Sequence, residues 1–213
     1  MRTITIDRNR TRKRALAEDA EVIRRGGVVA YPTETAYGLA ADPSNAAAVR
    51  RVYRMKGRSA EKTLPLIAGG PALAGRLVRM PAALARLAAG HWPGPLTVVA
   101  VLRPLWQGRI AAAKDGTVAV RVPGLAWPRA LSLALGAPIT STSANRSGRP
   151  AAYSGADVRA AFAAAPDAPD LLLDAGRLPE RTPSTIVAME HGKITVLRQG
   201  KVRITKENRR KGE

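Results

Sequence analysis

The chain has 213 residues, enough for one large domain or two small ones with a sizeable core. It has no cysteine and two histidines far apart in sequence, His91 and His191. That excludes disulfides, thiolate nucleophiles, cysteine-based zinc or iron–sulfur centres and a histidine-rich metal site. Lys and Arg number 35 against 16 Asp and Glu, a formal charge of +19. Such an excess favours polyanions: nucleic acid, nucleotide phosphates or an anionic surface. An Ala- and Arg-rich chain also carries charge on ordinary solvated faces, so both readings stay open. With one Phe, base-stacking platforms of the single-strand-binding kind are not indicated. No apolar stretch reaches the ~20 residues that a bilayer needs. The opening MRTITIDRNRTRKR has no apolar core of a secretory signal, so a cytoplasmic protein is expected, with no membrane partner.

In chain order, residues 8–14 form a charge run and read as a surface turn. Leu16, Ala20 and Ile23 recur at helical spacing, predicting a helix over 15–25 that Gly26-Gly27 ends. Residues 28–31 read as a buried strand stopped by Pro32. Ala48, Val49, Val52 and Met55 predict a helix over 46–56. A strand over 64–68 follows, then helices over 73–78 and 82–89. A rigid turn at 91–95 leads to strands over 97–102 and 117–122. A helix is expected over 127–135, a strand over 138–142, a helix over 157–164, and late strands over 171–174, 184–189 and 194–198. Helices and strands are interspersed, but the late strands cluster without helices between them. The fold class is therefore α/β, α+β-like: a single-domain twisted mixed β-sheet flanked by helices. The expected division is a basic segment over 1–14, a core domain over 15–204 and a charged, disordered tail over 205–213.

Polar residues gather at strand ends, where open α/β sheets bind ligands. Residues 31–39 (YPTETAYGL) put two threonines, a carboxylate and two tyrosines into one turn; hydroxyl-bonded turns explain the same composition. Lys56-Gly57-Arg58 and Lys62 place three cations after a helix end, which fits either phosphate recognition or complementarity to the helix dipole. No Walker-type loop is present, so phosphates would be held by side chains. Residues 141–148 (STSANRSG) form a hydroxyl- and amide-rich turn, equally the composition of a solvated loop. No Gly-x-Ser-x-Gly supports a serine hydrolase. Arg121, Ser184 and Arg198 sit at the ends of predicted strands and are unremarkable singly.

In order along the chain, GGVVAYPTETAYGLAADPSN (26–45), VYRMKGR (52–58), HWPGPLTVV (91–99), TVAVRVP (117–123), APITSTSANRSGRP (137–150), PSTIV (183–187) and VLRQG (196–200) resemble the threonylcarbamoyl-AMP synthase family, the YrdC-like proteins. The resemblance implies a twisted mixed sheet with a basic concave cleft. It implies a nucleotidyltransferase that converts L-threonine, bicarbonate and ATP, with Mg²⁺ on the ATP, to threonylcarbamoyl-AMP and pyrophosphate. That product serves the threonylcarbamoyl modification of adenosine 37 in tRNA, which makes the tRNA threonylcarbamoyl transfer machinery a partner and tRNA or double-stranded RNA contact possible. The family's Lys-x-Arg and Ser-x-Asn pairs fall on Lys56, Arg58, Ser143 and Asn145 as catalytic residues. Its nucleotide contacts fall on Arg58, Lys62, Thr117, Ser143, Ala151 and Arg198, and its threonine contacts on Thr33, Arg121, Ser141 and Ser184.

Three departures stand out. Lys62 replaces a common Asn, Ile67 stands where many relatives have His, and Ala151 offers only its backbone. The additional C-terminal domain of longer family members is not expected in this chain. Alternatives are a non-enzymatic RNA-binding protein on the same fold, and a paralogue that makes another carbamoyl-adenylate.

Overall fold

The computed structural model describes residues 1–6, 12–59 and 63–205, with the side chains of 12–15 left out. The first half runs β1 (Arg2–Thr5), α1 (Arg12–Arg24), β2 (Val29–Pro32), β3 (Tyr37–Ala40), α2 (Ala46–Lys56), β4 (Leu66–Ile67), α3 (Pro71–Leu77), β5 (Val78–Arg79) and α4 (Ala82–His91). The second half runs β6 (Leu96–Leu102), a short 3-10 turn at Pro104–Trp106, β7 (Thr117–Arg121), α5 (Ala126–Leu135), β8 (Ile139–Thr140), β9 (Thr142–Ser143), α6 (Gly155–Phe162), β10 (Leu171–Asp174), β11 (Thr185–Glu190) and β12 (Lys193–Arg198).

The strands form two mixed sheets, where the sequence led to one. The five-stranded sheet has the order β1-β10-β2-β3-β9, and the seven-stranded sheet β12-β11-β6-β7-β4-β8 with β5 added on β6. Each combines parallel and antiparallel neighbours: β10 is parallel to β2 while β2 and β3 are antiparallel, and β11 is parallel to β6 while β6 and β7 are antiparallel. The two-sheet arrangement comes from one break. The run over 138–142 reads as a single strand because its residues are apolar or β-branched. In the structure Ile139 and Thr140 pair with β4 in the larger sheet, whereas Thr142 and Ser143 pair with β3 in the smaller. Ser141 is the crossing point, held by its N–H to the Pro65 carbonyl at 2.7 Å.

Burial follows the same division. One apolar cluster lies on the large sheet around Leu77, Leu84, Leu96 and Val120, and a second on the small sheet around Val28, Leu39, Val52 and Phe162. A third joins the sheets, packing Tyr31 and Ala40 of one with Ile67 and Ile139 of the other, beneath Ala20 and Ile23 of α1 and Leu131 of α5. This seam core makes the two sheets one body and fixes their angle at the site.

The start of the chain also differs from expectation. Arg2–Thr5 pairs in parallel with β10 as an edge strand, so that part of the 1–14 segment belongs to the sheet. The rest of that segment is α1 from Arg12 on, apart from residues 7–11, which lie outside the described residues together with tail residues 206–213. Helix α2 begins and ends where the sequence places it. Asn45 caps it by accepting from Ala47 and Ala48 N–H at 3.0 and 3.1 Å, and Gly57 closes it in the left-handed conformation, φ 57°. That left-handed residue separates Lys56 from Arg58 and sends their side chains different ways.

Candidate active site

A cleft of about 390 Å³ opens at the seam between the sheets. The small sheet contributes the β2–β3 turn and the start of the 142–145 turn. The large sheet contributes Ile67, Thr97, Arg121, Ile186 and Arg198. Eight of the sequence-derived candidates line it: Thr33, Arg58, Arg121, Ser141, Ser143, Ala151, Ser184 and Arg198.

Its floor is read directly from strand register. Arg121 stands between Thr97 of β6 and Ile67 of β4, three side chains abreast at one end of the large sheet. The Arg121 side chain is 13% exposed; its Nε donates to the Gly94 carbonyl at 2.9 Å and its Nη2 to the Glu34 carboxylate. Burial lowers the guanidinium's pKa, and the Glu34 charge opposes that.

Arg198, at the end of β12, donates from Nη2 to the Ser184 carbonyl at 2.9 Å and to its Oγ at 3.1 Å. Ser184 Oγ also meets Thr97 Oγ1 at 2.9 Å. Gly200 allows this approach: a Cβ there would lie 2.3 Å from the Pro183 carbonyl oxygen. Burial lowers the Arg198 pKa as well.

On the small-sheet side the hydroxyls are largely spent on the backbone. Thr33 Oγ1 donates to the Ala36 carbonyl at 2.6 Å and accepts from Thr35 and Ala36 N–H at 3.1 and 3.2 Å, a hydroxyl-bonded turn. The same turn faces the cleft, so the structural and ligand readings of this segment hold together. Tyr31, fully buried, points its hydroxyl at Ser141 Oγ, 3.5 Å away. Burial pushes its pKa up to about 12, leaving a neutral phenol at physiological pH.

Lys56 and Asn145, which the resemblance implies as catalytic residues, meet Ser143 behind the cleft wall. Lys56 is 4% exposed, and its Nζ donates to the Ser143 carbonyl at 2.6 Å, the Asn145 carbonyl at 2.8 Å and Asn145 Oδ1 at 3.1 Å. Ser143 Oγ in turn donates to Asn145 Oδ1 at 2.5 Å, and Asn145 Nδ2 to the Arg149 carbonyl. An ammonium has three protons, so this one is fully committed within the protein. Lys56 builds the turn that presents Ser143. Burial pushes the Lys56 pKa down to about 8, and the nearby Arg58 charge adds to that.

Arg58, two residues on, faces the cleft. Its Nη2 reaches the Thr63 carbonyl at 3.3 Å, while its buried Nε has no partner among the described residues. Thr117 is not brought to the cleft. It sits at the other end of β7, opposite Val101, with its hydroxyl on Asp115 at 2.7 Å, about 13 Å from Arg121 at 3.3 Å per strand residue. Lys62 lies outside the described residues.

The family model for Sua5, YciO and YrdC proteins, described as "Telomere recombination", matches residues 21–200. The chain belongs to this family. The threonylcarbamoyl-AMP synthase of Thiobacillus denitrificans is 41% identical over 177 residues, covering 81% of this chain and 89% of that one. The enzyme of the same name from Chromohalobacter salexigens is 40% identical over 186 residues, covering 83% and 94%. Among solved structures, P. abyssi Sua5 complexed with L-threonine superposes with a TM-score of 0.85 at 29% identity. That match covers 96% of this chain and 59% of the P. abyssi chain, so this chain spans about three-fifths of that protein's length. E. coli YciO, at 24% identity and a TM-score of 0.81, shares the fold.

Within the Sua5/YciO/YrdC frame, the cleft also holds residues that sequence reasoning passed over: Glu34, Thr97, Tyr153 and Arg181. Glu34 was in view as the carboxylate of the 31–39 turn, but nothing in the sequence links it to Arg121, 87 positions away. Thr97 and Arg121 become neighbours only through the β6–β7 register. Arg181 lies in a stretch without periodicity.

Proposed function

We propose that this chain is an L-threonylcarbamoyladenylate synthase, a nucleotidyltransferase that consumes L-threonine, bicarbonate or CO₂, and ATP, and releases pyrophosphate. The observation that carries this reading is the convergence of Arg58, Arg121 and Arg198 on one seam cleft, in a chain about 40% identical to threonylcarbamoyl-AMP synthases. Three substrates each bring negative charge, and three guanidiniums are fixed to meet it.

In this reading Arg121 receives the threonine carboxylate, with Thr33, Ser141 and Ser184 around the amino acid. Arg58, Arg198 and Ser143 receive phosphate oxygens, and the backbone at Ala151 borders the nucleotide. The bound threonine ammonium gives up a proton to solvent, and the free amine attacks CO₂ and loses a second proton to give a carbamate. A carbamate oxygen then attacks the α-phosphorus, the bond to the β-phosphate oxygen breaks, and pyrophosphate leaves. Such a transfer depends on positioning and on charge stabilisation, and needs no protein nucleophile. Guanidiniums anchored by backbone carbonyls are preorganised for this and need little rearrangement as charge develops.

Mg²⁺ fits as a companion of ATP. Among the described residues no group of three His, Asp or Glu side chains is placed to hold a metal, while the cleft's arginines suit a metal–triphosphate complex. When bound, Mg²⁺ would neutralise phosphate charge, with ligands drawn from phosphates and water.

The product serves tRNA modification in the cytoplasm, handed to the threonylcarbamoyl transfer machinery; the formal +19 favours approach to tRNA. No helix among the described residues is long and apolar enough to cross a membrane. The test is pyrophosphate release by purified protein. Release that requires threonine, bicarbonate and Mg-ATP together supports the reading; release indifferent to threonine contradicts it.

A further inference from the structure

Resting on that reading, the geometry points to Glu34 as the residue that makes the cleft select an amino acid over a simple carboxylate: Arg121 takes the ligand's carboxylate and Glu34 favours the ammonium group beside it. Glu34 stands in the β2–β3 turn on the small sheet, Arg121 at the end of β7 on the large one, so the pair spans the seam. Their side chains are 15% and 13% exposed. Glu34 Oε1 accepts from Arg121 Nη2 and from Gly124 N–H, the latter at 2.8 Å. Its other oxygen, Oε2, is buried and has no hydrogen-bond partner among the described residues. Arg121 is held at Nε by the Gly94 carbonyl at 2.9 Å and at Nη2 by Glu34, while Nη1 has no partner among the described residues.

Two consequences follow. The protein already occupies the Nε–Nη2 edge of the guanidinium, so an incoming carboxylate must approach from the Nη1 end. The pair is also close to neutral as a unit. A simple carboxylate drawn to Arg121 is repelled by Glu34 at nearly the same range, and the two effects offset each other. A zwitterion meets a different field: its negative end is drawn to the guanidinium and its positive end to the Glu34 carboxylate, whose charge is not fully compensated at Oε2. A buried carboxylate oxygen without a partner is costly, and a cationic ligand group close by relieves that cost. The selectivity lies in the pair and is lost when its negative half is neutralised.

The experiment is equilibrium binding by calorimetry of L-threonine and of 3-hydroxybutyrate, the same skeleton without the amino group, to wild type and to Glu34→Gln. Glutamine keeps an acceptor for Arg121 and Gly124 but removes the charge. Wild type is expected to prefer threonine by about 100-fold, and the variant by less than about 10-fold, the size of losing one charge-assisted contact. A purely structural role for Glu34 would weaken both ligands in proportion and leave the ratio unchanged; that result overturns the inference. Equal binding of the two ligands by wild type overturns it without any variant. Wild type that binds neither ligand removes the threonine reading of the cleft and this inference with it.

Discussion

Lys56 and Arg58 flank one glycine and have opposite lives. Lys56 is 4% exposed and donates to oxygens of Ser143 and Asn145, so it supports the wall of the cleft from behind. Arg58 lines the cleft, as Arg121 and Arg198 do from the large sheet with one edge anchored on a backbone carbonyl. The sequence presents all four cations as one class of phosphate or carboxylate ligand. The structure separates a cation that builds from cations that present. Replacing a builder should cost stability and activity together; replacing a presenter should cost activity alone.

The largest effect is expected at Lys56. Lys56→Met leaves the buried Asn145 carbonyl without its donor and takes one of two donors from the Ser143 carbonyl and from Asn145 Oδ1, which should cost about 3 kcal/mol in urea denaturation and abolish most turnover. Full stability with lost activity would mean that Lys56 acts on substrate directly. Arg58→Ala should lower turnover about 100-fold while stability stays within about 0.5 kcal/mol, which paired activity and melting measurements check. A large stability loss there would erase the distinction between the two residues.

Acidity gives a further test of the builder. With a folded pKa of about 8, Lys56 loses its proton as pH rises through that value, and one of its donors goes with it. Turnover should therefore fall above about pH 8, and the pH–rate profile should show that limb.

The smallest effect is expected at a residue that does not line the cleft. Asp19 on α1 is 0% exposed, neither carboxylate oxygen has a partner among the described residues, and burial pushes its pKa up to about 7. Its folded pKa lies above the unfolded one, so ionisation penalises the fold increasingly from about pH 4 to about pH 7 and by a constant amount above. Asp19→Leu should gain stability over wild type across that window, by on the order of 1–3 kcal/mol at pH 7, with little difference at pH 3.5. Denaturation curves at the two pH values decide it, and catalysis should be unaffected at either.

What could be read in the sequence was whatever local chemistry decides. Helix α2 is legible because Ala48, Val49, Val52 and Met55 recur at helical spacing; its caps at Asn45 and Gly57 come from the structure. The alternation of β7 was legible for the same reason. β3 is hidden in the sequence: YGLA follows a turn-like PTET and reads as part of that turn, yet it pairs with both β2 and β9. The switch of sheets at Ser141 has no local signature, since Ile139–Thr140 and Thr142–Ser143 are equally strand-like; the partners waiting on either side decide it.

The site follows the same rule. Which residues approach the cleft was carried by ordered motifs, and eight of them arrive there. Which face the ligand and which stand behind the wall depends on the left-handed turn at Gly57 and on register across three strands. For that reason Lys56, Asn145 and Thr117 could not be sorted from Arg58, Ser143 and Arg121 by composition or spacing.

The most direct measurement follows the carbon of bicarbonate. Incubation with ¹⁴C-bicarbonate, Mg-ATP and L-threonine should place label in an adenylate resolved from AMP by chromatography, and only when threonine is present. Pyrophosphate release with no labelled adenylate, or label that appears equally without threonine, would contradict the account of this cleft.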